Sequence, residues 1–186
     1  MKLIQEKTEH QYWLSQIQDD SNKPFETLVR GRFSSFLATG YAGVFKDRYV
    51  RASQEWEAAR GGSKISIFFT IPDPDAFASA TGYFGGMVFS TTDDAGAVEK
   101  TLYAPQAGEE YFSIYEASER TYLVPESNTW MAVADRASWL ALYCFTRSRD
   151  RDDFLRMFPH LNFFDSMNEA RAYAKSMADY GLQDLS

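Results

Sequence analysis

Cysteine and histidine are almost missing from this chain: Cys144 stands alone, and His10 and His160 are the only imidazoles. A single thiol excludes an intrachain disulfide. Its place inside the apolar run WLALYCF makes it a small hydrophobe, with no histidine nearby in sequence to activate it. The three nitrogen and sulfur ligands have no metal-ligand spacing, and the carboxylates lack the EF-hand register, so no metal site is expected. Long apolar runs are missing as well. Nowhere do about 18 consecutive apolar residues occur, which excludes a membrane-spanning helix. The opening MKLIQEKTEHQYW turns charged too soon for a signal peptide, and the expectation is a cytoplasmic chain with no membrane association. Neither a phosphate-cradling glycine loop nor a Gly-x-Ser-x-Gly elbow is present. These gaps remove most NTPases, dinucleotide enzymes and serine hydrolases, and the motifs imply no cofactor.

Aromatic residues, by contrast, make up 16% of the sequence. Each one buried withdraws about 150–250 Å² from water, so 186 residues suffice for a thick core and one folded domain. Charge is abundant but lopsided. The net charge is −7. Residues 1–63 carry nine Lys/Arg against eight Asp/Glu, residues 64–146 four against eleven, and residues 147–186 six against seven. The acidity therefore belongs to the middle third. Nucleic-acid binding needs a basic footprint and is not expected; the balance suits a protein partner with a basic surface.

Apolar periodicity changes along the chain in step with that division. Residues 1–63 read as helical. KTEHQYWLSQIQ places Tyr12, Trp13 and Ile17 on one side, with His10 a candidate for the same side although the helix has an exposed look. SNKPFETLVRGRFSSFLATG carries an i, i+3, i+4 stripe of Phe25, Leu28, Val29, Phe33, Phe36 and Leu37 between Pro24 and Gly40. DRYVRASQEWEAARGG reads as a third helix ended by Gly61-Gly62. From Lys64 the period becomes two. KISIFFTI alternates cleanly, and PDPD ends it. GYFGGMVFSTT, EKTLYAP, EYFSIYEAS, RTYLVP and TWMAVAD follow as short segments read as strands, with Gly85-Gly86 as a bulge or close approach and a hairpin turn at Pro125–Asn128; SWLALYCFT suits a buried strand or a helix, with strand the preferred reading. RSRDRDDFLRMFPHL and DSMNEARAYAKSMADYG return to helix, with Asp165 or Ser166 as the cap of the second. The predicted fold is a single α+β domain: helices in 1–63, a mostly antiparallel sheet of about six strands in 64–146, and helices in 147–186 packed on it.

Two functional readings arise. In the first, Tyr83, Tyr103, Tyr111, Tyr115 and Tyr122 lie on an exposed face among Glu109, Glu110, Glu116 and Glu119. Tyrosine is enriched where proteins meet, and carboxylates beside it complement a basic partner. Glu109, Glu110, Tyr111, Tyr115, Glu116, Glu119 and Tyr122 are the expected partner-binding residues. The protein would then be a non-enzymatic interaction factor, an inhibitor or an immunity or anti-defence type of protein.

The second reading starts from LVRGRF (Arg30-Gly31), VFSTT (Ser90-Thr91-Thr92) and ERTYLVP (Glu119 to Pro125). In order and outline these segments resemble the Arg-Gly, Ser-Thr-Ser and Glu-x-Glu motifs of ADP-ribosyltransferases. The resemblance implies an enzyme acting on NAD through Arg30, Ser90 and Glu119. Thr121 stands where that family carries its catalytic glutamate.

Overall fold

The computed structural model describes residues 1–17, 33–105 and 113–179. Its elements run β1 (Lys2–Leu3), α1 (Lys7–Ser15), β2 (Ser35–Gly40), a 3-10 turn (Tyr41–Phe45), α2 (Asp47–Ala58), β3 (Lys64–Ile71), α3 (Pro74–Thr81), β4 (Gly86–Ser90), α4 (Ala95–Tyr103), α5 (Ile114–Ala117), β5 (Arg120–Pro125), β6 (Trp130–Asp135), β7 (Leu140–Phe145), α6 (Ser148–Met157) and α7 (Met167–Asp179). The strands form one antiparallel sheet in the order β1-β4-β3-β5-β6-β7-β2. The α+β architecture read from the sequence is the one observed.

Helices cover both faces of the sheet, and the strand sequences reflect it. A strand buried on both sides reads as a continuous apolar run instead of an alternation. RTYLVP, WMAVAD and LALYCF are buried at every position. On one face Ile65, Ile67, Phe69, Leu123, Ala132 and Tyr143 pack against Tyr49, Trp56, Phe154 and Leu102 from α2, α6 and α4. On the other, Phe68, Val88, Tyr122, Val133 and Leu142 pack against Trp13 of α1 and Ala170 of α7.

Several local expectations are corrected. SFLATG is the edge strand β2 and not a helix end, because it pairs with β7 from Ser35↔Phe145 to Gly40↔Leu140. Leu37 and Ala38 consequently enter opposite cores. Residues 1–63 thus supply both edge strands, and residues 21–32 of the Pro24 segment lie outside the described residues. EKTLYAP is not a strand; its first residues complete α4, capped by Asp94 Oδ1, which accepts the Ala97 N–H at 2.7 Å. SIYEAS is the short helix α5, where Ser113 and Glu116 form a capping box. The stretch after Asp73 is also helical, with Asp73 as cap, Pro74 in the first turn and Gly82 closing in the left-handed region at φ 81°.

The expected close approach at Gly85-Gly86 is present. A Cβ on Gly86 would fall 2.7 Å from the Ile67 carbonyl oxygen, so only glycine lets β4 lie this near β3.

Candidate functional site

Ile71 at the end of β3, Glu119-Arg120 at the start of β5 and Asp135-Arg136 at the end of β6 meet at one end of the sheet. Backbone bonds fix the junction. The Glu119 N–H donates to the Ile71 carbonyl at 2.8 Å, and the Arg136 N–H donates to the Glu119 carbonyl at 2.8 Å. An open cleft of about 370 Å³ lies there, lined by Ile71, Glu119, Arg120, Asp135, Arg136 and Ala137.

Arg120 and Asp135 are direct cross-strand partners and both are buried. Arg120 donates from Nε at 3.1 Å and from Nη2 at 2.9 Å to Asp135 Oδ2, while Oδ1 accepts the Ser138 N–H at 3.0 Å. This acid is fully occupied. Arg136 is engaged elsewhere: its Nε donates to the Ser118 carbonyl at 2.9 Å and its Nη2 to the Tyr115 carbonyl. The guanidinium sits 4.9 Å from the ring centroids of both Tyr41 and Tyr115, within cation–π range. The Tyr41 hydroxyl hydrogen-bonds Ser118 and is pushed above its ordinary pKa, chiefly by burial, so it stays protonated.

Glu119 differs from every other described carboxylate between residues 64 and 146. Asp73 accepts the Asp75 N–H, Asp75 pairs with Lys7, Asp93 accepts the Ser90 N–H and Asp94 caps α4. Glu99 accepts the Asp47 N–H, Glu116 closes its capping box, Glu126 accepts from Ser63 and Asp135 holds Arg120. Among the described carboxylates of residues 64–146, exposed Glu119 alone makes no side-chain hydrogen bond or ion pair. It does not reach Arg136, although their backbones are bonded.

The expected exposed tyrosine face is corrected. Tyr83, Tyr115 and Tyr122 are only 2%, 7% and 2% exposed, because both faces of the sheet are covered. Tyr103 is half-buried, its ring centroid 4.4 Å from that of Tyr115. Glu109, Glu110 and Tyr111 lie outside the described residues. Glu116 is exposed, but its carboxylate serves the cap.

The triad implied by the ADP-ribosyltransferase resemblance does not come together. Ser90 pairs opposite Lys64 and Glu119 sits beside Ile71, so β3 separates them by roughly 20 Å at strand rise; Arg30 lies outside the described residues. His10 is not exposed: it is buried at 5%, stacked on Phe84 at 5.1 Å and edge-on to Phe68 at 5.8 Å. His160 is exposed. Cys144 is buried, and desolvation raises its thiol pKa well above the usual range, the opposite of a reactive thiolate. Among the described residues, no group of three or more His, Cys, Asp or Glu side chains could hold a metal ion. No described helix is long and apolar enough to cross a membrane.

Sequence reasoning missed Arg120, Asp135 and Arg136. The sequence signal is off by two residues: a turn centred on Pro125–Asn128 would set Arg120 opposite Val133, whereas the observed register centres between Ser127 and Asn128 and pairs Arg120 with Asp135. No protein-family model, curated protein or solved structure matches the chain.

Proposed function

We propose that this protein is a non-enzymatic acidic interaction factor that docks on a basic surface of a partner protein. An inhibitor, or an immunity or anti-defence factor that covers a cationic active site or channel, is the type of protein this describes. The observation that carries the reading is the disposition of charge in residues 64–146. Of the four cations there, Arg120 is buried against Asp135 and Arg136 is half-buried against Tyr41 and Tyr115, leaving Lys64 and Lys100 exposed. Asp73, Asp75, Asp94, Glu116, Glu119 and Glu126 are exposed. Burying Arg120 with Asp135 leaves the net charge of the segment unaltered, and among its described residues the exposed acids outnumber the exposed cations six to two. The resulting negative field steers a cationic partner and weakens with salt. Glu119 is the acid most available to it.

The test compares partner capture from the native host by the wild type and by a Glu109→Lys/Glu110→Lys/Glu119→Lys variant. Glu116 is left intact because it caps α5. The expected result is a basic protein captured by the wild type, released by high salt and lost from the variant. Equal capture by both chains, or capture of an acidic partner, overturns the proposal.

A further inference from the structure

We infer that the cleft at the end of β3, β5 and β6 receives a single arginine side chain of the partner, held by Glu119. This rests on the reading of a basic partner and names the group that partner inserts. The chemistry of the occupant follows from which polar groups in the cleft are already satisfied. Asp135 spends both oxygens on Arg120 and Ser138. Arg120 spends Nε and Nη2 on Asp135, and Arg136 spends Nε and Nη2 on two backbone carbonyls. The carboxylate of Glu119 is the acceptor left over, and it carries a full negative charge on two oxygens. A planar fork of N–H donors bearing one positive charge is its complement, which is a guanidinium in preference to an ammonium.

The setting favours that guest in two further ways. The Glu119 backbone is bonded on both sides, to Ile71 and to Arg136, so the carboxylate is presented from a fixed strand end. Ile71 and Ala137 add apolar wall against which the methylene stem of an arginine can lie while its head stays with the acid. Resident Arg136 makes no hydrogen bond or ion pair with Glu119: its Nε and Nη2 donate to the Ser118 and Tyr115 carbonyls and its guanidinium lies over the Tyr41 and Tyr115 rings. The four charged residues lining the cleft sum to zero, so the cleft itself exerts little long-range pull. Steering comes from the excess of acid in residues 64–146 as a whole, and the cleft contributes a short-range, geometric anchor.

The experiment is a titration of the full chain with Nα-acetyl-L-argininamide, followed by backbone amide shifts. Saturable shifts centred on Glu119, Arg136 and Ala137 are expected. Glu119→Gln keeps the shape at an exposed position and is expected to weaken the apparent affinity at least tenfold, and Nα-acetyl-L-lysinamide to bind less tightly than the argininamide. Absence of saturable shifts, unchanged binding to Glu119→Gln, or lysinamide binding as tight as argininamide each overturns the inference. Failure here with salt-dependent capture of a basic partner intact removes the arginine anchor alone. Argininamide binding at Glu119 with no basic partner captured removes the wider proposal and leaves the cleft as a guanidinium site.

Discussion

His10 shows how much a single residue depends on its surroundings. On the isolated α1 helix it is one polar residue among many; in the fold it is stacked on Phe84 with no partner for Nε2. Burial lowers its pKa from the ordinary 6.5; Asp75 on α3 opposes that shift and Lys7 on the same helix adds to it. A histidine whose native pKa is depressed costs nothing while both states are neutral. As pH falls below 6.5 the unfolded chain takes up a proton that the native chain refuses, and stability drops until the native pKa is reached. One proton limits the slope to about 1.4 kcal/mol per pH unit. Urea midpoints measured between pH 7.5 and 5.5 are expected to fall for the wild type. His10→Phe, which keeps a ring against Phe84, is expected to lack that part of the fall, and parallel curves would refute the assignment.

At the level of elements, the β5–β6 hairpin joins the candidate site to the core. Its register puts Arg120 opposite Asp135, and both are buried beside Leu140 and Val133 on the second face of the sheet. A buried ion pair is expensive to desolvate, and removing one member strands the other. Asp135→Ala is therefore expected to cost about 3–5 kcal/mol, while Arg120→Met/Asp135→Ala costs clearly less than the sum of the single changes. Chemical denaturation in a double-mutant cycle reads the coupling, and additive losses would mean the pair is not a unit. The hairpin itself was legible, since strand-forming runs flank Pro125–Asn128. The helices α3, α4 and α5 were also written in the chain, as Asp73-Pro74, as Asp94 ahead of Ala97, and as Ser113 with Glu116 three residues on. Reading the α4 and α5 stretches at period two, and PDPD only as a strand end, hid cap signals that decide short elements, because a cap satisfies backbone N–H groups that a strand would leave to a neighbour.

Over the whole molecule, one layer is tied to the sheet by a buried acid. Glu57, at the end of α2, is fully buried and accepts from the Ser127 N–H at 2.7 Å, Ser127 Oγ at 2.7 Å and Trp130 Nε1 at 3.0 Å. Gly62 closes over it, and a Cβ there would overlap the carboxylate at 1.8 Å. Glu57→Ala leaves the indole and the turn amide without acceptors and is expected to destabilise the protein by about 3 kcal/mol. A thermal or urea unfolding curve checks this, and a loss below about 1 kcal/mol would show that the bonds are not stabilising in sum. The same coverage of both sheet faces that buries Glu57 also buries Tyr83, Tyr115 and Tyr122, which is why a face of exposed tyrosines could not survive folding.

The amino-acid sequence by itself determined the α+β class, the strands β3, β5 and β6, the helices α1, α2, α6 and α7, and the concentration of acid in residues 64–146, while leaving β7 open between strand and helix. Those features are set by local periodicity, turn chemistry and composition, which act over a few residues. Tertiary structure alone decided that Ser35–Gly40 is a strand, since its hydrogen bonds come from β7 more than a hundred residues away. It decided too that Ser90 and Glu119 stand at opposite ends of the sheet, that Arg120 and Arg136 turn inward, and that Glu119 is left exposed without a partner. Whether a charge is free depends on what every other donor and acceptor nearby has already bound, and that is fixed only when distant strands meet.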